Sequence, residues 1–112
     1  MLFRSLNTKN RVIRDQKVAD GTLDQTTTRM AELFREAVRH QAKSIIMVHN
    51  HPSGDPSPSS EDVQLTREVR HAGEFLQIDL LDHIVIGRGG RKPWRSLREL
   101  GLGFGTERSA AS

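Results

Sequence analysis

His49, His51, Ser59 and Asp62 stand in the order H-x-H-x7-S-x2-D within the stretch HNHPSGDPSPSSED. Two imidazoles and a carboxylate are the donor types of a hydrolytic zinc site, and three protein ligands leave a fourth position for water. A metal held that way lowers the pKa of its bound water toward about 7 and supplies hydroxide at neutral pH. Ser59, three residues before Asp62, is placed to donate a hydrogen bond to the oxyanion of a tetrahedral intermediate. The chain's own His, Ser and Asp frequencies give on the order of one accidental match per thousand sequences of this length.

These side chains need elements to bring them together. Ser44 to Val48 (SIIMV) is a short continuous apolar run that reads as a buried central strand running into His49. On an extended segment, His49 and His51 leave the same face while Asn50 points away. Pro52, Gly54, Pro56 and Pro58 form a stiff, non-helical loop. A helix is expected from about Ser60 to Leu76, burying Leu65, Val69, Ala72 and Leu76, with Asp62 in its first turn. Ser59-Ser60-Glu61-Asp62 also reads as a helix start, with Ser59 as N-cap and Asp62 at N3 of a loose capping box. A capping hydroxyl can still face the site, so both roles for Ser59 stay open. His40 and His71 fall on polar helix faces. His83 either orients a metal ligand or is a satisfied histidine at a sheet edge, and it is not counted as a ligand.

Elsewhere, residues 2–18 look like a hairpin turning at Asn7-Thr8-Lys9-Asn10. The connection Gly21 to Thr27 ends in threonines able to cap a helix. In that helix Met30, Leu33, Phe34, Ala37 and Val38 form an apolar stripe, with Gln41 and Ala42 at its margin. Ile78 to Ile86 is the next strand, and the turn Gly87-Arg88-Gly89-Gly90 leads to a short strand containing Trp94. That turn joins two strands, so it is not a phosphate loop. Ser96 to Leu100 reads as a helical turn, and residues 103–112 as a frayed tail. The order strand, strand, helix, strand, helix, strand, strand predicts an α/β domain over residues 2–102, a mixed sheet flanked by helices.

Composition narrows the class. The chain has 112 residues, of which 35% are hydrophobic, so one modest, largely aliphatic core is expected. There is no cysteine, which excludes disulfides and thiolate metal sites. No apolar run approaches the roughly 20 residues of a membrane helix, and no signal-peptide pattern opens the chain, so a cytoplasmic protein is expected. The net charge is +3, with basic clusters at Arg4, Lys9, Arg11, Arg14, Lys17 and at Arg88, Arg91, Lys92, Arg95, Arg98. Such a surface is either simply solvated or meets nucleic acid or an acidic partner. Aromatics make up 4%, too few for a base-stacking platform.

H-x-H-x7-S-x2-D resembles the signature of the JAMM (MPN+) metalloprotease domain. HNHPSGDPSPSSED and LLDHIVIG, with LNTKNRVI at 6–13, Gly21-Thr22-Leu23, the AELFREAVRHQA helix and SLRELGL at 96–102, resemble the RadC family in particular. The resemblance implies a cytidine-deaminase-like α-β sandwich, Zn²⁺ held by His49, His51 and Asp62, an oxyanion-stabilising Ser59, and hydrolysis of peptide or isopeptide bonds. It also implies a water-activating glutamate whose expected place falls just before Met1, so an N-terminally truncated chain is expected, lacking the family's helix-hairpin-helix region as well. The family's Pro-Arg-Glu at the helix start stands here as Met30-Ala31-Glu32, and Glu32 and Glu36 are expected to face away from the site. Loss of a general base lowers activity by roughly 10²–10⁴. Three functions follow for comparison: a zinc hydrolase of unidentified peptide or protein substrate, a metal-binding but catalytically silent scaffold, and a DNA-repair-associated accessory domain.

Overall fold

The structure, a computed structural model, describes residues 1–17, 30–89 and 91–104. Its elements are β1 (Leu2–Leu6), β2 (Val12–Lys17), α1 (Met30–Arg39), β3 (Ser44–Asn50), α2 (Ser60–Leu76), β4 (Asp79–Ile86), β5 (Trp94–Ser96) and α3 (Leu97–Leu100). The five strands form one mixed sheet in the order β2-β1-β3-β4-β5. Strands β3 and β4 are parallel and the other neighbours antiparallel. A parallel pair cannot be joined by a hairpin, and α2 supplies the crossover between them.

The alternation expected of strands is clear in β3. Ile45, Met47 and His49 are buried, while Ile46 and Val48 are half-buried and Asn50 is exposed. The register places Phe3 and His83 on either side of Met47, so one sheet face carries Phe3, Ile45, Met47, His83 and Val85. The apolar members join Leu33, Phe34 and Ala37 of α1, Leu65 and Val69 of α2 and Leu97 of α3 in a single core cluster. Phe3 meets Phe34 edge-on at 6.3 Å. The alternate set, including Leu2, Ile46, Val48 and Ile84, is half-buried.

Strand β4 contains an irregularity that sequence alternation does not reveal. Ile45 pairs with Leu80 but Ile46 pairs with Asp82, leaving Leu81 as an extra residue. The bulge changes the phase of the strand, so that Leu80, His83 and Val85 all face the core although Leu80 and His83 are three apart. An unbulged strand would turn His83 to the opposite face.

Several expectations are corrected. Val38 is 52% exposed, because it borders an open groove of about 600 Å³ lined also by Phe34, His71, Phe75 and Leu76. α1 ends at Arg39, and Gln41 adopts φ 54, so Ala42 reaches the core from beyond the helix. Leu76 is 45% exposed, and Ile78 takes the core position expected of it. The cause is the helix end: Gln77 is left-handed and the Ile78 N–H bonds back to the Gly73 carbonyl at 2.8 Å. Gly73 is required there, since a Cβ would lie 2.3 Å from the Ile78 carbonyl oxygen. Gly103 and Phe104, assigned to the tail, are packed: Arg70 donates to the Gly103 carbonyl at 2.7 Å and Phe104 is buried. The expected connection Gly21 to Thr27 and the rest of the tail, 105–112, lie outside the described residues. No helix among the described residues is long and apolar enough to cross a membrane.

Candidate metal centre

β3 ends where the parallel pair opens, the usual place for a ligand in sheets of this kind. His49 is the last buried residue of the strand, and the His51 N–H continues the pairing by donating to the Ile86 carbonyl at 2.9 Å. Both histidines therefore project to the same side, their rings edge-to-face at 4.9 Å. The Pro-rich loop then turns back. Gly54 N–H donates to the His51 carbonyl at 3.0 Å and Arg88 N–H to the Gly54 carbonyl, which fastens the loop to the β4–β5 turn. Gly87 makes that approach possible, because a Cβ there would lie 2.2 Å from the Gly54 oxygen.

α2 starts with the expected capping box. Asp62 N–H donates to Ser59 Oγ at 3.1 Å and Ser59 N–H donates to Asp62 Oδ2 at 2.8 Å. The cap brings the Asp62 carboxylate, 1% exposed, between the two imidazoles. Oδ1 lies 2.9 Å from His49 Nδ1, and Oδ2 lies 2.9 Å from His51 Nε2. Burial works to raise the Asp62 carboxyl, but the hydrogen bonds from His49 and Ser59 outweigh it and hold the group well below the usual carboxylate range. Its position in the first turn of α2 adds the helix dipole in the same direction.

One donor atom from each of His49, His51 and Asp62 lies within 4.8 Å of the others, the only such grouping among the described residues. The hydrogen-bonding roles at His51 fit a metal. Its Nδ1 lies 2.9 Å from the Asp55 carbonyl, an acceptor only, so Nδ1 carries a proton. In the neutral ring Nε2 then presents a lone pair toward Asp62 Oδ2, and two lone pairs 2.9 Å apart need a proton or a cation between them. A carbonyl orienting the far nitrogen of a histidine is a common support for metal ligation.

The other titratable groups sort clearly. Glu36 is buried but turned toward β2, where it pairs with Arg14 at 3.0 Å. Burial works to raise its carboxyl, and Arg14, Arg39 and His40 together keep it below the ordinary range. Glu32 lies 3.8 Å from Arg35 and is exposed, as are His40 and His71. His83 is no edge residue. It sits on β4, between β3 and β5, is fully buried, and stacks on His49 with centroids 6.1 Å apart and planes at 25°. Burial pushes its imidazole down to about 4, so the ring is neutral at pH 7. Its partner, Thr66, was not singled out from the sequence. The available signal was position: Thr66 is four residues after Asp62 and so on the same face of α2.

A mixed sheet with a His–His–Asp grouping at the end of its parallel strand pair defines an α/β domain whose donor set could hold a metal ion. The family model described as RadC-like JAB domain matches residues 1–102, and the chain belongs to that family. It is similar to UPF0758 proteins from Roseiflexus sp. (strain RS-1), 54% identical over 89% of this chain and 42% of the relative. Similar proteins of the same name come from Roseiflexus castenholzii, 52% identical over 88% of this chain and 41% of the relative, and Chlorobium chlorochromatii, 46% identical over 87% and 42%. The chain thus spans well under half the length of the curated relatives it matches.

Proposed function

We propose that the domain is a zinc-dependent hydrolase of JAMM type acting on peptide or isopeptide bonds. The observation that carries this reading is the His49, His51 and Asp62 donor grouping at the end of a parallel strand pair. Three protein donors of this kind leave room for water and substrate, as catalytic zinc sites do. The metal, when bound, polarises the substrate carbonyl and makes water nucleophilic at neutral pH. Asp62 remains ionised across the physiological range and is available as an anionic donor. Ser59 Oγ accepts from the Asp62 N–H, which leaves its own proton to donate to the oxygen that becomes negative on attack. The cap and the oxyanion role are therefore compatible in one hydroxyl.

A second reading, a metal-binding domain without turnover, is favoured by a specific observation. Among the described residues the grouping holds one carboxylate, Asp62, and no free carboxylate to accept a proton from water. One experiment separates the two. Zinc content is measured by elemental analysis, and the zinc-loaded chain is incubated with a mixed peptide pool whose new termini are read by mass spectrometry. The hydrolase reading expects about one zinc per chain, absent in His49→Ala and Asp62→Ala, and cleavage lowered about 10²–10³-fold in Ser59→Ala with zinc retained. Zinc without cleavage supports the silent module. A wild-type chain that takes up no zinc sinks both.

A further inference from the structure

We infer that His83 is a positioning residue of this metal centre, holding His49 on the strand and Asp62 on the helix in fixed relation through Thr66. The inference rests on the metal-binding reading above and adds a residue to it.

The geometry starts from Thr66, whose hydroxyl lies 2.8 Å from the Asp62 carbonyl and 2.7 Å from His83 Nδ1. A hydroxyl has one proton. The Asp62 carbonyl can only accept, so Thr66 donates to it and in turn accepts from His83 Nδ1–H. That fixes the tautomer of His83 and leaves Nε2 as a bare lone pair. Nε2 is buried and has no hydrogen-bond partner. An aliphatic side chain would fill this place in the core without burying an unpaired nitrogen, so packing alone does not account for an imidazole here.

Two links explain it. The ring face lies against His49, stacked at 6.1 Å, and limits how that imidazole can turn. The Nδ1–Thr66–Asp62 chain ties the first turn of α2 to β4, next to the strand that carries His49. Strand ligand and helix ligand are thereby both referenced to one ring in the core. The bulge at Leu81 is what brings that ring to the site face. Support of this kind commonly contributes 10–100-fold to metal affinity.

The test uses the full chain, stripped of metal and titrated with zinc against a chromophoric chelator, alongside thermal melting of the metal-free form. His83→Leu keeps the apolar volume and loses both links. Thr66→Val keeps the shape and breaks the chain, while Thr66→Ser preserves it. The expected result is a zinc affinity about 10–100-fold weaker in His83→Leu and Thr66→Val, and near wild type in Thr66→Ser, with no matching order in the metal-free melting temperatures. Cobalt substitution adds a signature that a merely structural role would not move: the visible d–d bands shift in His83→Leu and Thr66→Val and hold in Thr66→Ser. Should His83→Leu fail to fold, the threonine pair decides alone. Zinc affinities within twofold of wild type in the folded variants overturn the positioning role and leave the metal site standing. A wild-type chain that binds neither zinc nor cobalt overturns both.

Discussion

Asp62 serves the helix and the site with the same carboxylate. Oδ2 caps α2 by accepting the Ser59 N–H and also meets His51, while Oδ1 meets His49. Substitutions nearby should therefore separate stability from metal binding. Ser59→Ala removes half of the capping box and should cost about 1 kcal/mol in urea denaturation of the metal-free chain. Asp62→Ala should cost more, because it removes the other half of the cap and the acceptor that His49 Nδ1 meets in the buried site. His83 makes a pH prediction. Its folded pKa of about 4 lies below the ordinary histidine value of 6.5, so on acidification the unfolded chain takes up the proton first. Its contribution is complete above pH 6.5 and is lost as the pH falls toward 4. Between those limits the metal-free wild type should lose roughly 3 kcal/mol relative to His83→Leu, read as the difference between two urea-derived stability curves. Parallel curves would refute this. The three candidate donors were legible in the sequence because a strand end, a rigid loop and a capped helix place them almost without reference to the rest of the fold. His83 and Thr66 were not, because their connection runs through a main-chain carbonyl and a strand bulge.

The elements most easily read were those with local grammar. Ser59 marked the start of α2, and the continuous apolar run Ser44 to Val48 marked β3, which runs on to Asn50. Helix ends and strand phase depend on neighbours and were harder. Leu76 fits the period of α2, yet the left-handed Gln77 closes the helix so that Ile78 occupies the core. Val38 fits the stripe of α1, but it lines an open groove shared with His71, Phe75 and Leu76 of α2 and stays half exposed. The contact between the β4–β5 turn and the metal loop had no sequence signal beyond a glycine. It is testable at that glycine. In Gly87→Ala the new Cβ would meet the Gly54 oxygen at 2.2 Å and the Pro56 nitrogen at 2.7 Å, both backbone atoms that cannot rotate away. The loop must shift, with an expected loss of about 1–3 kcal/mol and weaker zinc uptake. Gly89→Ala is the control. Gly89 has φ +74 but open space around it, so it should lose about 1 kcal/mol or less and bind zinc as before. Equal zinc affinity in both variants would show that the turn does not brace the site.

At the scale of the whole molecule, composition gave the class and little else. One aliphatic core was foreseen, and the structure builds it from one face of the sheet and the inward sides of three helices. The net charge of +3 suggested a basic surface, but several of those cations have partners within the chain. Arg4 pairs with Asp15, Arg14 with Glu36 and Lys92 with Glu99, while Arg98 lies over the Phe104 ring. Net charge cannot foresee such pairing, since it depends on which strands become neighbours. The compactness of the H-x-H-x7-S-x2-D stretch has a consequence of a different kind, for the denatured state. Both imidazoles and the carboxylate fall within residues 49–62, so a chain with no sheet at all still carries them on one short tether. On the proposed zinc reading the denatured ensemble should keep a weak affinity for the metal, and ligand linkage counts binding to both states. The denaturation midpoint should rise with the logarithm of zinc concentration at first and then level off, once the metal begins to occupy unfolded chains. Moving one donor far away in sequence would remove that ceiling. Zinc should therefore favour the folded state only up to the point where the unfolded chain can compete for it.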